Sequence, residues 1–496
     1  MSEFNKKPSL IQNWISVAGL IVAAGGLFAM LCLLAMDFFA GFKNPYVGIL
    51  TYFIAPGVLG FGLTIVIVGM LLERRQLVKA RQGVVGWFPV IDLNRPAHRK
   101  ILGSIGGFSL ILLLVIAVSS YRSYHFTESK QFCGQTCHTV MKPEFTAYQN
   151  SPHARVSCTE CHIGPGATWF VRSKLSGSYQ LYATLFHKYP TPIPTPVKNL
   201  RPAQETCEQC HWPQKFYGAV ERVRTHFKYD DENTPYTVRM LLKVGGGDPL
   251  HGPVGGIHWH MNVANKTEYI ASDDARQVIP WIKTTDRNGH STIYEAKDGR
   301  LKPQQVADAT PRRMDCIDCH NRPTHIFRSP DETVDMAMTL GRIDPKLPAI
   351  KKHAVDVLAA DYTDTEEACR QIAAKLQKDY SKADTGTVAR AVAEVQKIYR
   401  DNFFPEMKSR WKVYPNNIGH FEWAGCFRCH DDQHVSADGK KISADCTSCH
   451  TLIAQGATTD LKTISAQGLE FQHPSEEVGD TWKGMKCNDC HSGAAM

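Results

Sequence analysis

Cys158-Thr159-Glu160-Cys161-His162, CTECH, decides the reading of this chain because the same CxxCH form returns five more times. The copies run Cys207 to His211, Cys316 to His320, Cys426 to His430, Cys446 to His450 and Cys487 to His491. A seventh site, CGQTCH from Cys133 to His138, carries one extra residue between its cysteines. From the composition, about 0.02 chance copies of CxxCH are expected in 496 residues. Six copies therefore mark a repeated chemical site.

Two thiols at this spacing add to the two vinyl groups of haem, and the histidine after the second thiol lies under the iron as proximal ligand. The cofactor expected is haem c, seven covalently attached copies. Cys133, Cys137, Cys158, Cys161, Cys207, Cys210, Cys316, Cys319, Cys426, Cys429, Cys446, Cys449, Cys487 and Cys490 hold them; His138, His162, His211, His320, His430, His450 and His491 are the proximal ligands. Zinc also uses paired CxxC units but has no need of a histidine after every second cysteine. Disulfides are disfavoured because every pair is short-range and none staples a long loop. At the first site the CxxxCH spacing leaves an unmodified pair as the alternative. The two remaining cysteines, Cys32 and Cys369, read as inert apolar residues.

Upstream of the sites, three apolar runs stand out: 14–39, 47–72 and 101–120. Each is long enough to cross a hydrocarbon layer about 30 Å thick. Residues 73–100 carry Arg74, Arg75, Lys79, Arg81, Arg95, Arg99 and Lys100, whereas residues 40–46 carry only Lys43. The basic loop is expected on the cytoplasmic side, with the N-terminus, which puts everything after Ser120 in the periplasm of a bacterial inner membrane. The net charge is +8, and residues 1–100, with 10 Lys or Arg against 4 acids, hold +6 of it. The remaining residues carry only +2, which argues against a nucleic-acid partner.

After the third run come Tyr124, His125, the first haem site, then MKPEF (Met141 to Phe145), SPHA (Ser151 to Ala154), RVSCTECH (Arg155 to His162), ETCEQCH with His226 beyond it, and CIDCHNRPTH with His325 five residues after His320. This order resembles the NapC/NirT family of membrane-anchored quinol dehydrogenases over residues 101–330. The resemblance implies that Met141, His153, His226 and His325 are distal axial ligands, the methionine at the first haem. His325 is too close to His320 to reach the opposite face of the same porphyrin, so it is assigned to a neighbouring haem. His226 follows Val220 and Val223 at helical spacing, which would turn it inward. The usual family member has one anchor and four haems; this chain adds two spans, three haems and an insertion, 212–315. The layout as a whole resembles the ImcH-type inner-membrane heptahaem cytochromes.

Within the insertion, Asn288-Gly289 between two β-prone runs predicts a hairpin. KVGGGDP from Lys243 reads as a loop, without the ending of a phosphate-binding one. In GIHWHMN, from Gly256, a strand would point His258 and His260 to one face. One of them is a distal candidate, and a small two-histidine metal site is the alternative. Residues 345–404 predict a helical pair opening on TDTEE, Thr363 to Glu367, in capping-box order. The last segment packs three sites between Cys426 and His491, with His420, His434 and His473 as distal candidates and a turn at Asp438-Gly439 returning the sixth site onto His434.

The fold class expected is a membrane-anchored multihaem cytochrome c: three transmembrane helices, then a loop-rich, mainly α haem domain with a small β insertion. Its parts are 1–120, 121–344, 345–404 and 405–496. The resemblance implies electron transfer from menaquinol or ubiquinol through seven haems to a periplasmic cytochrome or reductase. Quinol oxidation releases protons, so Glu144, Lys142, His125 and Tyr124 are candidates for a base near the first haem; interfacial anchoring explains them equally. Two other readings stand beside it, a reductase of a small nitrogen or sulfur oxyanion and a passive anchor that wires a reductase complex.

Overall fold

The computed structural model describes residues 10–11, 13–40, 47, 49–81, 93–136, 138–163, 167–197, 200–245, 256–261, 265–458, 461 and 464–494. Cys137 and most of the KVGGGDP loop lie outside them, and only the backbone of His138 belongs to them. The chain divides into two units, Met1–His138 and Thr139–Met496.

In the first unit, α1 (Trp14–Ala40), α2 (Ala55–Arg81) and α3 (Pro96–Thr127) are each long and apolar enough to cross a membrane. A wider turn over Leu50–Ile54 leads into α2. The helices outrun the apolar segments that announce them, because the charged residues flanking each run are good helix formers and extend it into water. Small residues bring α1 and α2 together: a Cβ on Gly62 would lie 2.4 Å from the Ala23 nitrogen, and one on Gly26 2.7 Å from that of Leu59. At one end Asn13 donates to the Gly69 carbonyl at 3.2 Å, a polar contact between the two helices. Phe28, Ile67 and Leu113 face outward, the pattern a lipid solvent selects.

The second unit opens with α4 (His138–Gln149) and α5 (Ala167–Leu185). Its side-chain core is built later, by α6 (Pro330–Thr339), α7 (Ile350–Ala359), α8 (Thr365–Asp379) and α9 (Thr385–Asn402). The stretch expected to hold a helical pair thus holds three helices. Val334, Ile350, Val355, Leu358, Ile372, Leu376 and Val395 are buried together there, each contributing about 1.5–3 kcal/mol through removal from water. The helices start where the sequence caps them: the Ser329, Asp364 and Asp384 side chains accept from the amides of Glu332, Glu367 and Thr387. Glu367 reaches back to the Thr363 amide at 2.9 Å, the second half of the expected box.

Two antiparallel sheets account for the insertion. One orders β1 (Val220–Phe227), β2 (Pro235–Leu242) and β8 (His450–Ala457); the other orders β6 (Arg312–Arg313), β3 (Lys266–Ile270), β4 (Trp281–Thr285), β5 (Ser291–Ala296) and β7 (His434–Ser436). The hairpin at Asn288-Gly289 is present, with Thr285 opposite Ser291 and Gly289 at φ +81°. Strands β7 and β8 come from the C-terminal segment, so the insertion is hydrogen-bonded into the region of the last three sites.

Lys351 is fully buried, and its ammonium bridges Asp331 and Asp335 at 2.6 Å each. Asp335 also holds the His226 ring, and Tyr229 donates to Asp331 at 2.6 Å. Burial opposes ionisation of Asp331, yet the Lys351 charge outweighs it and holds the carboxyl below its ordinary pKa. Lys351→Met strands two buried carboxylates and is expected to cost about 3–5 kcal/mol in denaturant unfolding of the holo-protein. The part due to Asp331 is present above the ordinary carboxylate pKa and is lost as acid protonates it in the folded state, so the gap between wild type and variant narrows on acidification.

Candidate haem-binding sites

Each fully described motif folds as one tight turn: Cys158–His162, Cys316–Cys319 and Cys487–Cys490 as α-type turns, Cys207–Gln209, Gly425–Arg428 and Cys446–Ser448 as 3₁₀ turns. The amide of the motif histidine donates to the carbonyl of the first cysteine at 2.8 Å in the third site, 2.7 Å in the fourth and 2.9 Å in the seventh. Residues i, i+3 and i+4 of such a turn share a face, which is the geometric content of CxxCH: two thiols and an imidazole presented together.

Opposite each of these six motif histidines, among the described residues, stands one other histidine. Ring centroids are 6.3 Å apart for His162 and His325, 6.0 Å for His211 and His153, and 6.4 Å for His320 and His258. They are 5.9 Å apart for His430 and His260, 6.3 Å for His450 and His420, and 6.1 Å for His491 and His473. A metal bonded to both rings at about 2 Å, with about 1 Å from each nitrogen to its ring centre, requires about 6 Å.

Seven of the twelve rings are held in the protonation state that metal binding needs. Burial lowers the pKa of His162, His320, His325, His420, His450 and His491 below the ordinary value and takes His260 to about 4, so all are neutral at pH 7. Carbonyl oxygens sit at Nδ1 of His258 (Val244, 2.7 Å), His260 (Ile257, 3.2 Å), His325 (Glu144, 3.0 Å) and His430 (Ser443, 3.0 Å). A carbonyl only accepts, so the proton is on Nδ1 and the lone pair on Nε2, the tautomer that binds a metal. The Nδ1 atoms of His153, His420 and His450 are buried without a hydrogen-bond partner.

Three expectations change. His226 lies on strand β1, not on a helix: Val220 and Val223 fit either period, and residue-by-residue pairing with β2 decides it. Its Nδ1 meets Asp335 at 2.9 Å, and its ring neighbour is Phe421, not a motif histidine. His434 is buried on β7 with both nitrogens used, Nδ1 by Asp431 at 2.8 Å and Nε2 by the Ile279 carbonyl at 2.7 Å, which leaves no lone pair for a metal. The turn at Asp438-Gly439 forms, and it folds Lys440 back on Ser436 without carrying the sixth site to His434. His258 precedes and His260 lies within a 3₁₀ turn (Trp259–Met261) instead of a strand, so they diverge and face the fourth and fifth motif histidines separately.

Glu144 has a role the sequence does not announce. Both of its carboxylate oxygens accept from one guanidinium nitrogen of Arg322, Nη2, at 2.9 and 3.0 Å, and the carboxylate lies 3.2 Å from Nδ1 of His325. Arg322, 7% exposed, also donates to the His325 carbonyl and stacks over Tyr414. Lys142 acts on Glu406, and His125 packs edge-on against Tyr121 and Tyr124. Met141, in α4, is half-buried.

The sites lie near one another in series. Cys161 is within electrostatic reach of Cys207, and the Cys316 thiol donates to Cys207, bringing that thiol down to about 7. Cys319 lies near Cys426, Cys426 near Cys449, and Cys446 near Cys487. Sites two to seven are neighbours in their order along the chain. Among the described residues the motif cysteines and histidines form no cluster tight enough for zinc; the one such group is His226, Asp331 and Asp335, already bridged by Lys351.

Membrane-crossing helices followed by repeated CxxCH turns with opposed imidazoles define a membrane-anchored multihaem c-type cytochrome. The chain belongs to the NapC/NirT family: the model of the NapC/NirT cytochrome c family, N-terminal region, matches residues 95–195, and the chain is 43% identical over 499 residues to cytochrome c-type protein ImcH of Geobacter sulfurreducens, covering 99% of this chain and 97% of that one. It is also 26% identical over 152 residues to cytochrome c-type protein TorC of Escherichia coli K12, across 27% of this chain and 37% of TorC. No solved structure matches it.

Glu144→Gln leaves the buried Arg322 without a counter-charge and is expected to cost about 3–5 kcal/mol in chemical denaturation. Adding Arg322→Met should recover part of that loss, since it removes the stranded charge.

Proposed function

We propose that the chain carries electrons from membrane quinol through seven haems c to a redox partner in the periplasm. The carrying observation is the set of six histidine pairs, each about 6 Å apart, arranged in series by their cysteines. In this reading the fourteen motif cysteines hold the porphyrins, and His325, His153, His258, His260, His420 and His473 are the distal ligands of sites two to seven. Met141 and His138 serve the first. When bound, haem c supplies a one-electron carrier at each site, at low potential with two histidine ligands and higher with a methionine.

The chain's own residues do the rest. Carbonyls at Nδ1 fix imidazole tautomer and orientation; burial keeps the rings neutral; covalent attachment sets the order of the sites. The basic loop 73–100 supports a cytoplasmic placement for that loop and a periplasmic one for the haem region of an inner-membrane protein. Menaquinol or ubiquinol would be oxidised near the first site, where Tyr124, His125 and Lys142 remain candidates for accepting protons; Glu144 is committed to Arg322 and His325. A reductase needs an open iron position, and each fully described motif histidine already has a histidine facing it. That disfavours the reductase reading.

Alanine at His420 or at His473 should turn one haem of the seven high-spin in the absorption and EPR spectra, while alanine at His226 or His434 should leave all low-spin. A high-spin haem in the His434 variant would sink the ligand assignment. Adding a reduced menaquinone analogue to the purified holo-protein should shift the haem absorbance to the reduced form; unchanged spectra would end the quinol reading.

A further inference from the structure

Helix α5 carries an apolar stripe that nothing among the described residues of the unit covers. Val171, Leu175, Tyr179 and Tyr182 recur at i, i+4, i+8 and i+11, with Leu185 and Phe186 extending the same stripe, and all are exposed, from 50% at Tyr182 to 70% at Leu175. Ser173, Ser176, Gln180 and Thr184 take the opposite side. A soluble protein hides the apolar side of such a helix; here the stripe is left exposed.

The charge pattern says what covers it. From Cys161 to Gln204 there is no Asp or Glu, while Arg172 and Lys174 lie on the helix and Lys188 just after it. Arg172 stands over the Trp169 ring at 5.6 Å, at the start of the stripe, and Tyr179, Tyr182 and Tyr189 add the aromatic residues favoured at a lipid headgroup boundary. The helix has 19 residues but carries two cations and a full polar side, so it cannot cross a hydrocarbon layer. An apolar stripe with basic, aromatic margins and no acids is the composition of a helix that lies flat in an anionic bilayer surface.

We propose that α5 is a second membrane-binding element, which lies in the headgroup layer of the bilayer crossed by α1–α3 with Leu175, Tyr179 and Tyr182 among the acyl chains. The inference rests on membrane anchoring of the chain and is independent of the quinol reading. It has a functional consequence: His162 is five residues before Ala167, so a helix held in the headgroups keeps the second CxxCH turn within about 17 Å of chain from the lipid surface.

The test uses the full holo-protein reconstituted in vesicles of phosphatidylethanolamine and phosphatidylglycerol containing a phospholipid with a diazirine on its acyl chain. After irradiation, trypsin cutting behind Lys174 and Lys188 releases Leu175–Lys188 as one fragment for mass spectrometry. Expected are lipid adducts on that fragment at yields within a few-fold of those on α1–α3, and none on fragments of α9. The pair Leu175→Glu and Tyr182→Glu should cut the adduct yield at least tenfold, with haem content and labelling of the spans unchanged. Labelled spans with an unlabelled Leu175–Lys188 would overturn the proposal and assign the stripe to a haem edge or a protein partner. Cross-links from that fragment to a second copy of the chain, in place of lipid, would overturn it as well.

Discussion

Each of the six fully described sites meets one condition: a second imidazole is held about 6 Å from the motif histidine. The motif turn meets half of that condition by itself, since it is a local structure of five residues. The other half is long-range. His162 and His325 are 163 residues apart and His153 and His211 are 58 apart, so the chain must complete much of its tertiary fold before most sites are whole. For seven of the twelve rings burial also lowers the pKa, so that they carry no second proton at neutral pH. The same condition explains the two kinds of interior in Thr139–Met496. Helices α6–α9 enclose aliphatic side chains in the ordinary way, whereas the CxxCH turns present imidazoles and thiols.

This division tells why some features could be read directly and others not. The seven motifs, the three spans, the hairpin at Asn288-Gly289 and the capping of Asp364 are local patterns, and a single sequence displays local patterns. Distal histidines are selected by contact, and the sequence shows only that a histidine is near a motif. Of the candidates, His153, His325, His420 and His473 face motif histidines, whereas an aspartate, Asp335 or Asp431, takes the ring of His226 or His434. His258 and His260 show a different kind of miss: spacing by two points side chains together on a strand but apart on a 3₁₀ turn, and only the backbone tells the two apart. Glu144 and Arg322 meet across 178 positions, with nothing in either neighbourhood to join them.

The β insertion gains meaning from its partners. As a free-standing hairpin domain it would be a decoration. Because β2 pairs with β8 and β5 with β7, it ties the middle of the chain to the segment bearing the last three motifs. The turn carrying His258 and His260 sits in the same insertion, so one short stretch of backbone supplies partners to two successive sites. Distortion there would be felt at both, and the close approach of Gly256 to the Lys243 carbonyl, 2.4 Å from where a Cβ would lie, fixes the entry to that turn.

Gly493 lies against the start of α6: a Cβ on it would come 2.5 Å from that of Ser329 and 2.8 Å from Trp411 Nε1. Asp331 donates its amide to the Gly493 carbonyl at 3.0 Å, and Trp411 donates to that of Ser492 at 2.8 Å. The helical core is thus keyed shut by backbone made more than eighty residues after Trp411. A growing polypeptide has no means of closing that lock until residue 493 has left the ribosome, so biosynthesis itself delays the final set of the molecule.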